Sequence, residues 1–125
     1  MKYLLILLVF PILSATECGD KKATTADGVE IPKDSIPPCV MKLIDDAVKA
    51  TPSSTPTRVD EYLYNGKTVY LFTAPCCDQY NTLYSETCIP VCAPTGGFTG
   101  KGDGKCPDFV STAKFVKLIW QKPDK

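Results

Sequence analysis

The sequence predicts an α+β fold: a small disulfide-rich domain with one N-terminal helix packed on a short antiparallel sheet built around a β-hairpin. Three observations predict it. Residues 38–50 repeat apolar side chains at helical spacing. Asn65-Gly66 separates two runs rich in Val, Tyr, Leu and Phe. Five of the seven cysteines fall between Cys76 and Cys106, a stretch with few apolar side chains that cross-links would hold better than burial.

The chain of 125 residues is long enough for one domain. It opens with Lys2, then an apolar run from Tyr3 to Leu13, then the small residues Ser14 and Ala15. That is the pattern of a secretory signal peptide, assigned to residues 1–17, and it is too short for a membrane-spanning helix. Export sets the redox compartment, and outside the cytosol cysteines pair. Seven is odd, so one thiol has another fate. Cys18 is the natural exception: it follows the apolar segment directly, as the lipid-bearing cysteine of a bacterial lipoprotein does. ATEC matches such a lipobox loosely, because Glu17 stands where a small residue is usual; the alternative is cleavage after Ala15, with Cys18 free or bridging to another chain. The six remaining cysteines, Cys39, Cys76, Cys77, Cys88, Cys92 and Cys106, suffice for three disulfides of undetermined pairing.

Residues 18–35 are polar and read as a flexible tether, and residues 36–122 as the stapled domain. Pro37 and Pro38 suit the first turn of a helix, with Asp34 or Ser35 as a cap outside it. Val40, Leu43, Ile44, Ala47 and Val48 line one side from Pro38 to Ala50, and Thr51-Pro52 ends the helix. TPSSTPT, residues 51–57, is a loop. A two-residue turn at Asn65-Gly66 pairs Tyr64 with Lys67, Tyr62 with Val69 and Asp60 with Leu71. One hairpin face then carries Tyr62, Tyr64, Val69 and Leu71; the other carries Val59, Leu63, Tyr70 and Phe72. Both are apolar, so the helix should cover one and part of the cysteine segment the other. Pro75 stops the second strand. Residues 77–87 are expected to make one or two helical turns, with Cys77, Tyr80 and Tyr84 on one side. Cys88 to Cys92 reads as a short edge strand, since Pro90 lacks an amide donor. A glycine loop follows over 94–105. Phe115 to Trp120 is a last strand, with Val116, Leu118 and Trp120 on one face.

The segments YNGKTVY (64–70), PCCDQYNTLY (75–84), CAPTGGFTGKGDGKCPDF (92–109) and KLIW (117–120) resemble a family of small exported bacterial proteins, many of them lipoproteins, catalogued as a domain of unknown function. The resemblance covers about residues 38–122. It implies export and envelope anchoring and supplies no activity or site.

Composition excludes several chemistries. Lysine plus arginine equals aspartate plus glutamate at 14 each, so no basic surplus attracts nucleic acid, and a membrane contact would come only through the N-terminal lipid. The chain has no histidine, which removes Ser-His-Asp and Cys-His catalysis and every His-ligated metal site. Cys76-Cys77 is expected to be a structural pair bonded to two different partners, because adjacent cysteines close only a strained ring, and the exported context favours this over redox or zinc roles. GGFTGKGDGK lacks the Walker spacing, since Gly96 to Gly100 is one residue short and Lys101 precedes Gly102. Calcium would need Asp103 with Asp78 and Asp108 folded back to it, and the plain reading is a tight cross-linked loop. No cofactor and no enzymatic role are expected. The candidate binding loop carries Phe98, Lys101, Asp103 and Lys105, presented to an unidentified protein partner. Two alternatives stand beside this non-catalytic envelope domain. One is a secreted protease inhibitor presenting residues 93–105. The other is a small hydrolase using carboxylates drawn from Asp60, Glu61, Asp78, Asp103 and Asp108.

Overall fold

The computed structural model describes residues 35–124, together with the backbone at 23–24 and 30–31. The signal peptide, Cys18 and most of the tether lie outside the described residues. Within the polar stretch, Ala23–Thr24 (β1) pairs antiparallel with Glu30–Ile31 (β2).

Helix α1 spans Pro38–Lys49. Pro37, rather than Asp34 or Ser35, occupies its N-cap, and no side chain caps it. Val40 and Ile44 are fully buried, whereas Val48 is exposed, so the apolar stripe is narrower than the spacing predicts. At the other end the buried Thr55 hydroxyl donates to the carbonyls of Ala47 and Thr51 at 3.0 and 3.1 Å. A carbonyl that the helix leaves unpaired thereby gains a partner.

Five strands follow: β3 (Arg58–Tyr64), β4 (Lys67–Thr73), β5 (Tyr80–Ser85), β6 (Pro90–Gly96) and β7 (Lys114–Gln121). They form one sheet in the order β6-β5-β4-β3-β7, with every neighbouring pair antiparallel. The β3–β4 hairpin has the expected register: Tyr64 faces Lys67, Tyr62 faces Val69 and Asp60 faces Leu71. Asn65 and Gly66 take φ of 51° and 72°, the left-handed pair that a two-residue turn of this hand requires.

Both sheet faces are covered. Ile36, Val40 and Ile44 of the helical side meet Val59, Tyr70 and Ile119 on one face. On the other, Tyr64, Val69, Leu71 and Leu83 meet Cys92, Cys106 and Phe109. Leu63 departs from the expected pattern, being 42% exposed. Phe109 belongs to a four-residue helix, α2 (Phe109–Thr112), and its ring stands edge-on to Tyr62 and Tyr64 with centroids 5.2 Å from each.

Three expectations about the strands are corrected. Residues 80–85 are a strand, not helical turns: Leu83 is buried against β4, and Tyr84 packs edge-on to Phe72 at 5.0 Å. The edge strand after Cys88 starts at Pro90 and takes in the first residues expected in the glycine loop, through Gly96; Cys88 sits in the preceding turn with φ 63°. In β7, register shifts opposite Val59/Asp60 and Glu61/Tyr62 leave Ile119 and Val116 as extra residues. These bulges bury Ile119 and expose Val116, contrary to simple alternation.

Two disulfides pin the layers. Cys39–Cys88 joins α1 to the β5–β6 turn, and Cys92–Cys106 joins β6 to the end of the glycine loop. Cys76 and Cys77 bond to neither pair, so the expectation that each reaches a different partner is not met.

Candidate functional site

The glycine loop between Gly97 and Lys105 is tied to the sheet at its base. The Gly102 amide donates to the Gly96 carbonyl at 3.0 Å and the Asp103 amide to the Ala93 carbonyl at 2.8 Å. Gly102 sits so close to β6 that a Cβ there would lie 1.9 Å from the Ala93 oxygen, and its φ is +71°. Only glycine fits that approach. Backbone bonds and the Cys92–Cys106 bridge therefore hold the loop in one shape.

The four predicted loop residues separate into two roles. Phe98 is 97% exposed, its ring projecting into solvent. Lys101 and Lys105 are exposed, and Lys101 is bridged along the backbone to Gly96, which draws it back from the tip. Asp103 instead serves the loop: its carboxylate accepts the Lys105 amide at 3.0 Å, and that bond holds its carboxyl below the ordinary range.

The carboxylates considered for hydrolysis or calcium have separate employments. Asp60 is buried, and both its oxygens lie 2.6–2.7 Å from Arg58 Nε. Burial raises its pKa, and the arginine pulls the other way. Glu61 faces Lys117 Nζ at 3.6 Å, and Asp108 accepts the Tyr64 hydroxyl at 2.6 Å. Among the described residues, Asp78, Asp103 and Asp108 form no cation-sized cluster.

The cluster that does form is centred on the cysteine pair that the sequence reads as structural. Cys76 and Cys77 lie in the β4–β5 turn, both exposed, with sulfurs 2.6 Å apart. With Asp78 they place three possible ligand atoms within 4.8 Å of one another, all at the surface. The Gln79 amide closes the turn onto the Cys76 carbonyl at 3.2 Å, and the Gln79 carbonyl accepts the Gly97 amide at 2.8 Å. The thiol pair is thus linked through one residue to the glycine loop.

Sequence reasoning missed the concavities of the surface, two of which border the turns and loops of interest. A cavity of about 650 Å³ lies beside the hairpin turn, bordered by Tyr64, Lys67, Glu86 and Val91. A second of about 370 Å³ lies between α1 and the sheet, bordered by Leu43, Phe72, Ala74, Pro75, Gln79 and Tyr80. Each joins elements distant in sequence, so no local pattern announces it.

The fold and its bridges define a small α+β disulfide-containing domain with a presented glycine loop and an adjacent thiol pair. The family model of a domain of unknown function, DUF6970, matches residues 46–122, and the chain belongs to that family. No curated protein and no solved structure matches the chain. No helix among the described residues is long and apolar enough to cross a membrane.

Proposed function

We propose that this chain is an exported cell-envelope protein, anchored by a lipid on Cys18, whose folded domain binds a protein partner without catalysing a reaction. The observation that carries the reading is the pair of disulfides, which span 49 and 14 residues and secure opposite faces of the sheet. Bridges of this kind persist in oxidising compartments. The N-terminal apolar run supports the same placement, because a signal peptide delivers the chain there.

The glycine loop is the contact we assign to the partner. It is held rigid before binding, which lowers the entropy cost of association. Phe98 supplies an exposed aromatic anchor, and Lys101 and Lys105 add exposed positive charge to the same loop while Asp103 is occupied within it. The complementary surface is an apolar pocket bordered by carboxylates.

Intact mass of the protein from its native envelope, before and after reduction, tests the reading. The expected species begins at Cys18, carries a diacylglyceryl adduct and holds both bridges. A chain retaining residues 1–17, or one with Cys39, Cys88, Cys92 and Cys106 reduced, overturns it. A photo-crosslinking residue at position 98 should capture the same partner that Phe98→Ala and Lys101→Glu lose, while a probe at the opposite edge, position 116, should not.

A further inference from the structure

We propose that Cys76 and Cys77 form a thiol–disulfide exchange site, cycling between two free thiols and a bond between neighbouring residues. The inference does not depend on the lipid anchor or on the glycine-loop partner, and it adds a redox activity to a domain otherwise read as non-catalytic.

Three observations lead to it. First, the other described cysteines are already bonded as Cys39–Cys88 and Cys92–Cys106, so among the described residues each thiol of the pair has only its neighbour within reach. Second, the two sulfurs are 2.6 Å apart, well inside the reach of a non-bonded sulfur contact and near the ~2.05 Å of a disulfide. Third, both are exposed in a surface turn, so a reagent can reach either.

Adjacent residues have Cα atoms about 3.8 Å apart, closer than the roughly 4.4–6.8 Å over which disulfides usually close. A bond between them is therefore more reducible than one joining distant strands. Such a bond suits exchange better than stapling. The fold already has its staples on both faces, and neither involves this turn.

The contact between the sulfurs favours ionising one thiol of the pair and disfavours ionising the second. Either sulfur can attack while its neighbour resolves, and the step is the same from Cys76 as from Cys77. With a disulfide RS–SR as oxidant, the Cys76 thiolate attacks one sulfur and expels RS⁻, leaving Cys76 joined to the other RS group. Cys77 then loses its proton to solvent and attacks Cys76 Sγ, expelling the second RS⁻. Two cysteine thiols lose two electrons and two protons; RS–SR gains both electrons, and solvent protons convert the released thiolates to thiols.

The residues flanking the pair, Ala74, Pro75, Gln79 and Tyr80, border the 370 Å³ cavity against α1, which gives an incoming disulfide a partly apolar surface to rest on. Gln79 also connects the pair to the glycine loop, since its carbonyl accepts the Gly97 amide at the root of that loop.

The test equilibrates the full chain in glutathione buffers of graded reduced-to-oxidised ratio, quenches with acid, alkylates and maps the labels. The expected result is a single transition in which Cys76 and Cys77 gain two labels together, under conditions that leave the other two bridges closed. Oxidised glutathione should leave a stable adduct on both Cys77→Ser and Cys76→Ser, while the native chain releases it. Melting curves establish that both variants fold. Independent single labelling of the two thiols overturns the proposal. So does a lasting glutathione adduct on the native chain, a thiol pair that stays reduced in the most oxidising buffer, or native mass showing zinc held by the pair.

Discussion

The Tyr64 hydroxyl donates a hydrogen bond to Asp108 Oδ1 at 2.6 Å, joining the end of β3 to the residue that opens α2. The two residues are 44 apart in sequence, and Phe109 packs edge-on against the Tyr64 ring directly beside the bond. The contact fixes the segment that follows the glycine loop. It also raises the Tyr64 pKa, because the phenol proton is held by a carboxylate. We expect Tyr64→Phe to lower the urea midpoint without changing the slope, and Asp108→Asn to lower it less, since an amide oxygen still accepts. An unchanged midpoint in Tyr64→Phe refutes this account of the segment.

Arg58 and Asp60 give a sharper contrast. The carboxylate is buried while the arginine is half exposed, so removing the cation strands the charge. Arg58→Ala should cost about 1.5–3 kcal/mol, the range for a hydrogen bond to a charged group. Asp60→Asn should cost less, because the buried charge leaves with it. Chemical denaturation at neutral pH checks the order; equal losses count against it. The sign with pH is set by burial. A folded pKa raised above the ordinary 3.8 means that ionising Asp60 disfavours the fold, so its contribution declines as pH rises through the folded pKa.

Tyr70 predicts behaviour in alkali. Burial, then the charges of Glu61 and Glu86, push its pKa from 10.0 up to about 12. A folded pKa raised in this way gives stability that is complete below 10 and lost as pH climbs through about 12. The melting temperature should therefore fall across that interval, and Tyr70→Phe should flatten the fall. An identical alkaline profile in the variant would falsify the assignment.

The disulfides should contribute unequally. Bridges closing loops of 49 and 14 residues stabilise by about 4 and 3 kcal/mol through the entropy of the unfolded chain. The double variants Cys39→Ala/Cys88→Ala and Cys92→Ala/Cys106→Ala should lose stability in that order. Calorimetry of each against the native chain measures it, and a reversed order means that native-state packing, not loop length, dominates.

Two glycines separate strain from crowding. Gly100 and Gly102 have φ of +73° and +71°, but of the two only Gly102 has backbone, the Ala93 oxygen, 1.9 Å from where an added Cβ would stand. Gly100→Ala should cost about 1–2 kcal/mol for the left-handed backbone alone. Gly102→Ala should cost clearly more and should free the loop from β6, seen as faster amide exchange at position 102 and at Asp103. Similar melting points for the two variants contradict this reading.

The elements set by local rules were legible in the sequence. The helix follows from the spacing of Val40 and Ile44, and the hairpin register from a turn dipeptide that admits one pairing. That both faces of the hairpin are apolar was enough to place a layer on each. Residues 80–85 misled because Cys77, Tyr80 and Tyr84 also fit a helical repeat, and the sheet decided between the two by burying Leu83. The bulges of β7 were hidden because alternation assumes a regular ladder, and only the β3 partner reveals the skipped residues. Within the candidate site, the tight glycine loop was readable from composition. The isolation of Cys76 and Cys77 was not, because it depends on which distant cysteines claim each other.

Each layer of this protein has its own rivet: Cys39–Cys88 on the helical side, Cys92–Cys106 on the side of Phe109. Cutting one would loosen a single flank and leave the other clamped to the shared central strands. Damage to the domain should therefore arrive by halves, with a one-sided, still compact species persisting after the first bridge is opened.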